Sequence, residues 1–310
     1  MEKKTCIFMG TPQIAADVLE ALLRAQISVD LVVSQPDKKV GRKQTIVYSP
    51  VKQLAVEHGI ECFQPVRIRD DYQPILDLHP DVIITCAYGQ MVPDAVLQAP
   101  TYGCVNLHGS LLPKYRGGAP IQRAIWNGET QTGMSLMKMV PAMDAGPVLA
   151  QKAIDILPED CSGSLFDKLG KLAGSLIVEQ FEHVCSPTAV YQQQNEAEVT
   201  YAPIIKKEEE RIDLNQEDQT IFNQIRALSW TPGAYVYLHG KKWKILKASY
   251  RKEKVQTPFE VLGLQQDAYC IALHEGILSV RQCQMEGKPA MDAKSFYNGQ
   301  GRNYVKETVE

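Results

Sequence analysis

An amide and an imidazole stand one residue apart in the stretch NLHGSLLPKYRGG, residues 106–118, at the end of an apolar run. If that run is a strand, Asn106 and His108 point to the same face, because side chains along a strand alternate with a period of two. Moving an acyl group onto an amine needs three things at one point. They are a hydrogen-bond donor for the oxyanion, a group that takes the proton from the attacking nitrogen, and something that holds that group in its useful state. Asn106 supplies the amide donor. His108 supplies the base or a second donor, since an imidazole changes charge near neutral pH. Asp144, in the loop PAMDAGP, is the candidate to orient or polarise that imidazole. Singly, each of these residues is more often structural, and a lone His at a strand end is usually solvated. The combination is what points to chemistry.

Such residues need a scaffold that brings them together. The run TCIFM (5–9) reads as a buried strand. Gly10, Thr11 and Pro12 then supply a turn, an N-cap candidate and a proline suited to the first helical position. QIAADVLEALLRA follows with the 3.6-residue apolar period of a helix packed on a sheet. Further strands are expected at 28–34, 81–87 and 102–108, with a helix from Pro50 toward Gly59 and a short one after Pro93. Near-continuous apolar strands alternating with helices predict an α/β, doubly wound, mostly parallel Rossmann-like sheet. Function in such sheets sits at the carboxyl ends of the strands, where Asn106 and His108 fall. The first turn, FMGTPQIA, has one glycine where a dinucleotide loop needs G-x-G-x-x-G, so a nicotinamide or flavin cofactor is not expected. Two more strands, 132–140 and 147–156, flank PAMDAGP, and a long helix is expected over 164–184.

The texture then changes. Residues 186–203 are polar, Gln-rich and weakly periodic, and read as a linker between a domain at 1–185 and another at 204–310. In the later part, QTIFNQIRAL reads as a helix and several short strands follow, which predicts a smaller C-terminal OB-like β-barrel domain. Length and composition agree: 310 residues with 45% hydrophobic and 22% charged residues suit one large domain and one small. The net charge is −3 but unevenly shared, with 17 basic against 22 acidic residues over 1–200 and 16 against 14 over 201–310. The start MEKKTCIFMG is too short an apolar run for a signal peptide or a membrane span, which makes a cytoplasmic chain with no membrane partner the expectation. Eight scattered cysteines without C-x-x-C read as reduced core thiols, and neither they nor the six histidines have metal-ligand spacing, so no metal is expected.

The motif NLHGSLLPKYRGGAPIQRAI resembles the N-x-H-x-S-L-L-P-x-x-x-G signature of the 10-formyltetrahydrofolate-dependent formyltransferases. AYGQMVP before it and MDAGP after it fall where that family has folate-site elements. FMGTPQIAADVLEALL, QPDKKVGRKQTIVYSPVK, TYAPIIKKEEERIDL and IRALSWTPGAYVYLHGKKWKILKA narrow the resemblance to the branch whose acceptor is methionyl initiator tRNA. The likeness is weakest in about the last thirty residues. It implies a transferase that moves a formyl group from 10-formyltetrahydrofolate to the methionyl α-amino group, a step of translation initiation, with Asn106, His108 and Asp144 as the catalytic Asn, His and Asp. It also implies folate binding by Tyr88, Gly89, Gln90 and Met91 and by Ser110, Leu111, Leu112 and Pro113, with Ser110 mainly shaping its loop. Pro147, after MDAG, stands where some relatives carry an acidic residue.

Two basic segments would be solvated faces without that context. With tRNA as substrate, Lys38, Lys39, Arg42 and Lys43 in one loop, and Lys241, Lys242, Lys244 and Lys247 in the late domain, become candidate phosphate contacts. Trp243 is expected in the core rather than as a stacking surface. A monomer is expected. The competing readings are a formyltransferase for a small amine such as an amino sugar nucleotide, a shorter purine-pathway relative, and a non-catalytic nucleic-acid binder. Whether His108 acts as base or as oxyanion donor stays open in the sequence.

Overall fold

The computed structural model describes residues 4–40 and 44–310. The first apolar run forms β1 (Cys6–Gly10), every residue of it buried. It leads into α1 (Gln13–Arg24), whose Ile14, Val18, Leu19 and Leu22 are buried. Then come β2 (Leu31–Val33), β3 (Lys38–Val40), β4 (Thr45–Val47), α2 (Pro50–Glu57), β5 (Cys62–Phe63), α3 (Gln73–Asp77), β6 (Val82–Cys86), α4 (Asp94–Gln98) and β7 (Cys104–His108). The order continues with α5 (Pro120–Trp126), β8 (Gln131–Lys138), β9 (Val148–Asp155) and α6 (Ser162–Val184).

Seven of these strands make one sheet in the order β5-β2-β1-β6-β7-β8-β9. The strands from β5 to β7 are parallel, as their continuous apolar burial predicts, while β8 runs antiparallel to β7. The chain leaves β1 in one direction to β2 and β5 and in the other to β6 and β7, so the order reverses beside β1. At that reversal the loops are tied together. The Thr11 hydroxyl donates to the Tyr88 carbonyl at 2.9 Å. Thr11 therefore does not cap α1, which the sequence had suggested; Pro12 occupies the cap position and no side chain caps it. Ser49 does cap α2, accepting from the Lys52 N–H at 3.1 Å. Lys38–Val40, in a segment expected as a loop, form a hairpin with β4 instead, with Lys38 opposite Val47 and Lys39 opposite Ile46.

The chain divides into two compact units, one comprising residues up to Pro120, Gln131–Ile154 and Phe166–Ala202, the other Ile121–Thr130, Asp155–Leu165 and Pro203–Glu310. Residues 186–202 therefore run along the first unit. Their backbone bonds are reciprocal: Arg116 N–H reaches Thr200 O at 2.9 Å and Ala202 N–H reaches Arg116 O at 2.7 Å.

In the second unit, α7 (Asp218–Ala227) is followed by β10 (Ala234–Leu238), β11 (Lys241–Lys252), β12 (Val261–Gln265), β13 (Ala268–Ala272), β14 (Gly276–Met285), β15 (Met291–Asp292) and α8 (Ala293–Gly299). The strands form an antiparallel sheet in the order β10-β11-β14-β13-β12, with β15 on β14. The ladder itself is open rather than a closed barrel. Its edges are linked by the last residues of the chain, which exchange backbone bonds with Phe259 and Val261 on one side and with Tyr237 on the other. Trp243 is fully buried, stacked on Phe296 at 5.3 Å and edge-on to Tyr269 at 5.7 Å.

All eight cysteines are free thiols, and six of them are buried. Burial pushes the Cys86 and Cys104 thiols up to about 12 and those of Cys62, Cys185 and Cys283 to about 11. Since the thiolate is the reactive form, a thiol reagent at pH 8 should label the native protein at no more than the two partly exposed positions, Cys62 and Cys161, and all eight after unfolding. Rapid native labelling of three or more would contradict this packing.

Candidate active site

Asn106 is the middle residue of β7 and His108 its last, and the sheet register fixes their surroundings. Asn106 lies opposite Thr85 of β6 and Met137 of β8, and His108 opposite Ser135. The Thr85 hydroxyl donates to Asn106 Oδ1 at 2.8 Å. The same hydroxyl also lies 3.1 Å from the Val105 carbonyl oxygen. With Oδ1 turned to Thr85, the Nδ2 protons of Asn106 point away from it as donors. Asn106 is only partly buried.

His108 is 6% exposed. Its Nε2 lies 2.9 Å from the Tyr115 carbonyl oxygen. A carbonyl can only accept, so Nε2 carries the proton and the neutral ring presents Nδ1 as a lone pair. That nitrogen faces Asp144, with Nδ1 to Oδ1 at 3.6 Å. The distance is too long for a direct hydrogen bond and short enough for an ion pair once Nδ1 is protonated. The structure thus brings the three predicted residues of the triad to one end of the sheet.

Asp144 is held from several sides. Its Oδ2 accepts the Gly117 N–H at 2.8 Å, and its backbone sits in the left-handed region at φ 52°. Asp is among the residues that tolerate that region, and a non-glycine residue there persists only where its surroundings over-determine it. Two glycines make the loop possible. A Cβ on Gly146 would stand 1.8 Å from the Lys138 carbonyl, so the turn after Asp144 can close on β8 only without a side chain. Gly117 has φ +124°, and a Cβ there would stand 2.7 Å from the Ala202 carbonyl.

The predicted folate residues differ in what they leave free. The Tyr88 side chain is 4% exposed and packs with Ile7, Met9, Leu31 and Ile83, and burial raises its hydroxyl to about 12. Gln90 spends its amide on the protein, accepting the Ile68 N–H at 2.8 Å and donating toward Gln35 and the Pro65 and Val66 carbonyls. Ser110 is buried and donates to the Lys114 carbonyl at 2.6 Å, which agrees with a loop-shaping role. The Leu112 N–H donates to Ser135 Oγ at 3.0 Å and its carbonyl takes a bond from Gln151 at 2.9 Å. Surface remains at Gly89, Met91, Leu111 and Pro113.

Among the predicted basic residues, Lys38 and Lys39 are exposed on the hairpin, beside Ile46 and Val47 at 59% and 48% exposure. Arg42 and Lys43 lie outside the described residues. On β11, Lys241 and Lys247 are exposed. Lys242 rests 4.0 Å over the Tyr235 ring, and the Lys244 ammonium donates to the Pro232 carbonyl. Among the described residues, no cluster of three or more His, Cys, Asp or Glu is arranged to hold a metal ion.

Sequence reasoning missed Thr85, Tyr115, Arg116, Gly117, Gln194 and Thr200. Thr85 had a signal, as the lone hydroxyl in the apolar strand VIITC near its carboxyl end. Arg116 and Gly117 were inside the motif without a role. Gln194 and Thr200 sat in a segment read as a connector and carried no local signal.

A family model described as formyl transferase matches residues 3–181, and one described as formyl transferase, C-terminal domain matches 204–301. The chain belongs to the formyl transferase family. Within it, the methionyl-tRNA formyltransferase of Lactobacillus delbrueckii subsp. bulgaricus is 42% identical over 96% of each chain. That of Malacoplasma penetrans is 38% identical over 100% of this chain and 98% of its own. Two solved structures share the fold at 19% identity. HypX from Aquifex aeolicus, in complex with tetrahydrofolic acid, superposes with a TM-score of 0.70 over 99% of this chain and 49% of its own, so this chain spans about half of HypX. The N-formyltransferase from Helicobacter canadensis, in complex with folinic acid and dTDP-3-aminofucose, gives 0.66 over 89% and 98%.

Proposed function

We propose that the chain transfers a formyl group from 10-formyltetrahydrofolate to the α-amino group of methionyl initiator tRNA, in the cytoplasm. The observation that carries the chemistry is the committed tautomer of His108: Nε2–H bonded to Tyr115 O, with Nδ1 bare and facing Asp144. This favours His108 as the base. The neutral amine attacks the formyl carbon, and the carbonyl oxygen becomes an oxyanion facing the Asn106 Nδ2 donors. His108 Nδ1 accepts the amine proton, and the imidazolium gains Asp144 as its counter-charge. Collapse breaks the bond from the formyl carbon to the folate nitrogen, which takes the proton back as tetrahydrofolate leaves. Bonds and protons balance with no covalent enzyme intermediate.

The donor is assigned to the 88–91 and 110–113 loops, which leave the same end of the paired strands β6 and β7. There Gly89, Met91, Leu111 and Pro113 offer surface, while Tyr88, Gln90, Ser110 and Leu112 hold the loops in shape. Residues 1–185 then form the catalytic domain and 204–310 a tRNA-binding one. Lys38, Lys39, Arg42 and Lys43, with Lys241, Lys242, Lys244 and Lys247, are assigned to tRNA phosphates. The near-full-length similarity to methionyl-tRNA formyltransferases supports tRNA over a small amine acceptor.

The test is formyl incorporation by the purified full-length protein with 10-formyltetrahydrofolate. The acceptors are methionine-charged initiator tRNA, methionine-charged elongator tRNA and free methionine. Formylation of the initiator species far above the other two is expected. Donor binding without transfer to any charged tRNA would overturn the reading.

A further inference from the structure

Asp144 is held by more than the motif that precedes it. The Gln194 side chain has two amide protons, and both are used: Nε2 lies 2.8 Å from the Asp144 carbonyl oxygen and 2.7 Å from that of Gly146. Its Oε1 accepts from Arg116 Nε at 3.0 Å. The Arg116 guanidinium in turn pairs with Glu196, at 3.3 and 2.7 Å through its two terminal nitrogens, and its side chain is 5% exposed. These contacts close a ring. The peptide chain from Tyr115 to Gly117 holds His108 through the Tyr115 carbonyl and Asp144 through the Gly117 N–H. Between those two points, Arg116 reaches across to Gln194, which holds the Asp144 loop from its other side.

The same short segment anchors the backbone as well. The Tyr115 N–H donates to Thr200 Oγ1 at 2.9 Å, and Arg116 exchanges backbone bonds with Thr200 and Ala202. A polar stretch with little apolar content thus has an organising role, since its side chains satisfy carbonyls and a buried guanidinium that would otherwise be left unpaired.

We propose that Gln194 is a positioning residue for catalysis, setting the Asp144 carboxylate against His108, and that Arg116 and Glu196 hold Gln194 in place. This rests on the reading of Asp144 as the counter-charge of His108. Loss of the Gln194 donors frees the 144–146 turn, and displacement of a catalytic group by about 1 Å can lower a rate by about 100-fold.

The test uses the full-length protein and compares Gln194→Met, Gln194→Glu, Asp144→Asn and the pair Gln194→Met with Asp144→Asn. Both Gln194 variants keep the length of the side chain and remove its donors, so one remains readable if the other folds poorly. For either, kcat should fall by up to about 100-fold, with KM for donor and charged tRNA changed by less than about twofold. On the Asp144→Asn background, Gln194→Met should add less than about twofold, because the group it positions is already gone. An unchanged kcat in the Gln194 variants, or losses that multiply in the pair, would overturn the proposal while leaving Asp144 in its role. An unchanged kcat in Asp144→Asn would overturn the reading of the site and the proposal with it.

Discussion

Replacing Asn106 with alanine should lower kcat by about 100- to 1000-fold, the range typical of losing one oxyanion donor. KM for both substrates should barely move, because the donor acts on charge that develops only in the transition state. The argument is geometric. Asn106 sits within β7 with Oδ1 turned to the Thr85 hydroxyl at 2.8 Å, which leaves its Nδ2 protons on the other side before substrate arrives. Preorganisation of this kind costs no rearrangement at the moment of reaction. Thr85→Val, which keeps the shape and removes that bond, should give a smaller loss of the same kind. Steady-state kinetics with charged initiator tRNA decide the matter. A rise in KM at constant kcat would reassign Asn106 to ground-state binding.

Trp243→Ala should destabilise the second unit by about 3–5 kcal/mol, the usual range for removing a fully buried tryptophan. Trp243 is fully buried between Phe296 and Tyr269, so its removal opens a cavity in the middle of the largest aromatic cluster of that unit. Against a typical domain stability of about 5–15 kcal/mol, this is a large fraction. Urea unfolding followed by circular dichroism should show a midpoint shifted strongly downward, and Trp243→Phe should recover part of the loss. Equal midpoints for the parent and Trp243→Ala would place the ring outside the load of the core. The residue lies among Lys241, Lys242, Lys244 and Lys247, so an activity assay alone could mistake an unfolded domain for a lost tRNA contact.

The fold was legible where burial is one-sided or complete. The run at Cys6–Gly10 is apolar and wholly buried, and those at Val82–Cys86 and Cys104–His108 are apolar but for Thr85, Asn106 and His108, as strands covered on both faces of a parallel sheet should be. Periodicity likewise gave α1, α6 and α7 close to their observed bounds. It was silent on the short pair β3 and β4, the latter exposed at every residue and so without a buried face to impose a pattern, and on the antiparallel setting of β8. Thr11 shows the same limit in one residue. Its position suits a helix cap, but its hydroxyl finds the Tyr88 carbonyl, which lies 77 residues away in the chain.

What the sequence determined by itself is the chemistry available at one strand end. Asn106 and His108 share a face because a strand alternates, and no other part of the chain can alter that parity. The motif around them also sufficed to mark the family. Only the tertiary structure decided how those groups are held. Which imidazole nitrogen carries the proton depends on the Tyr115 carbonyl, and where the Asp144 carboxylate points depends on Gly117 and Gln194. Such bonds join residues far apart in the chain through directional contacts of about 3 Å. A hydrogen bond has no periodicity to announce it, and a polar segment that satisfies buried groups has the same composition as one that only faces water.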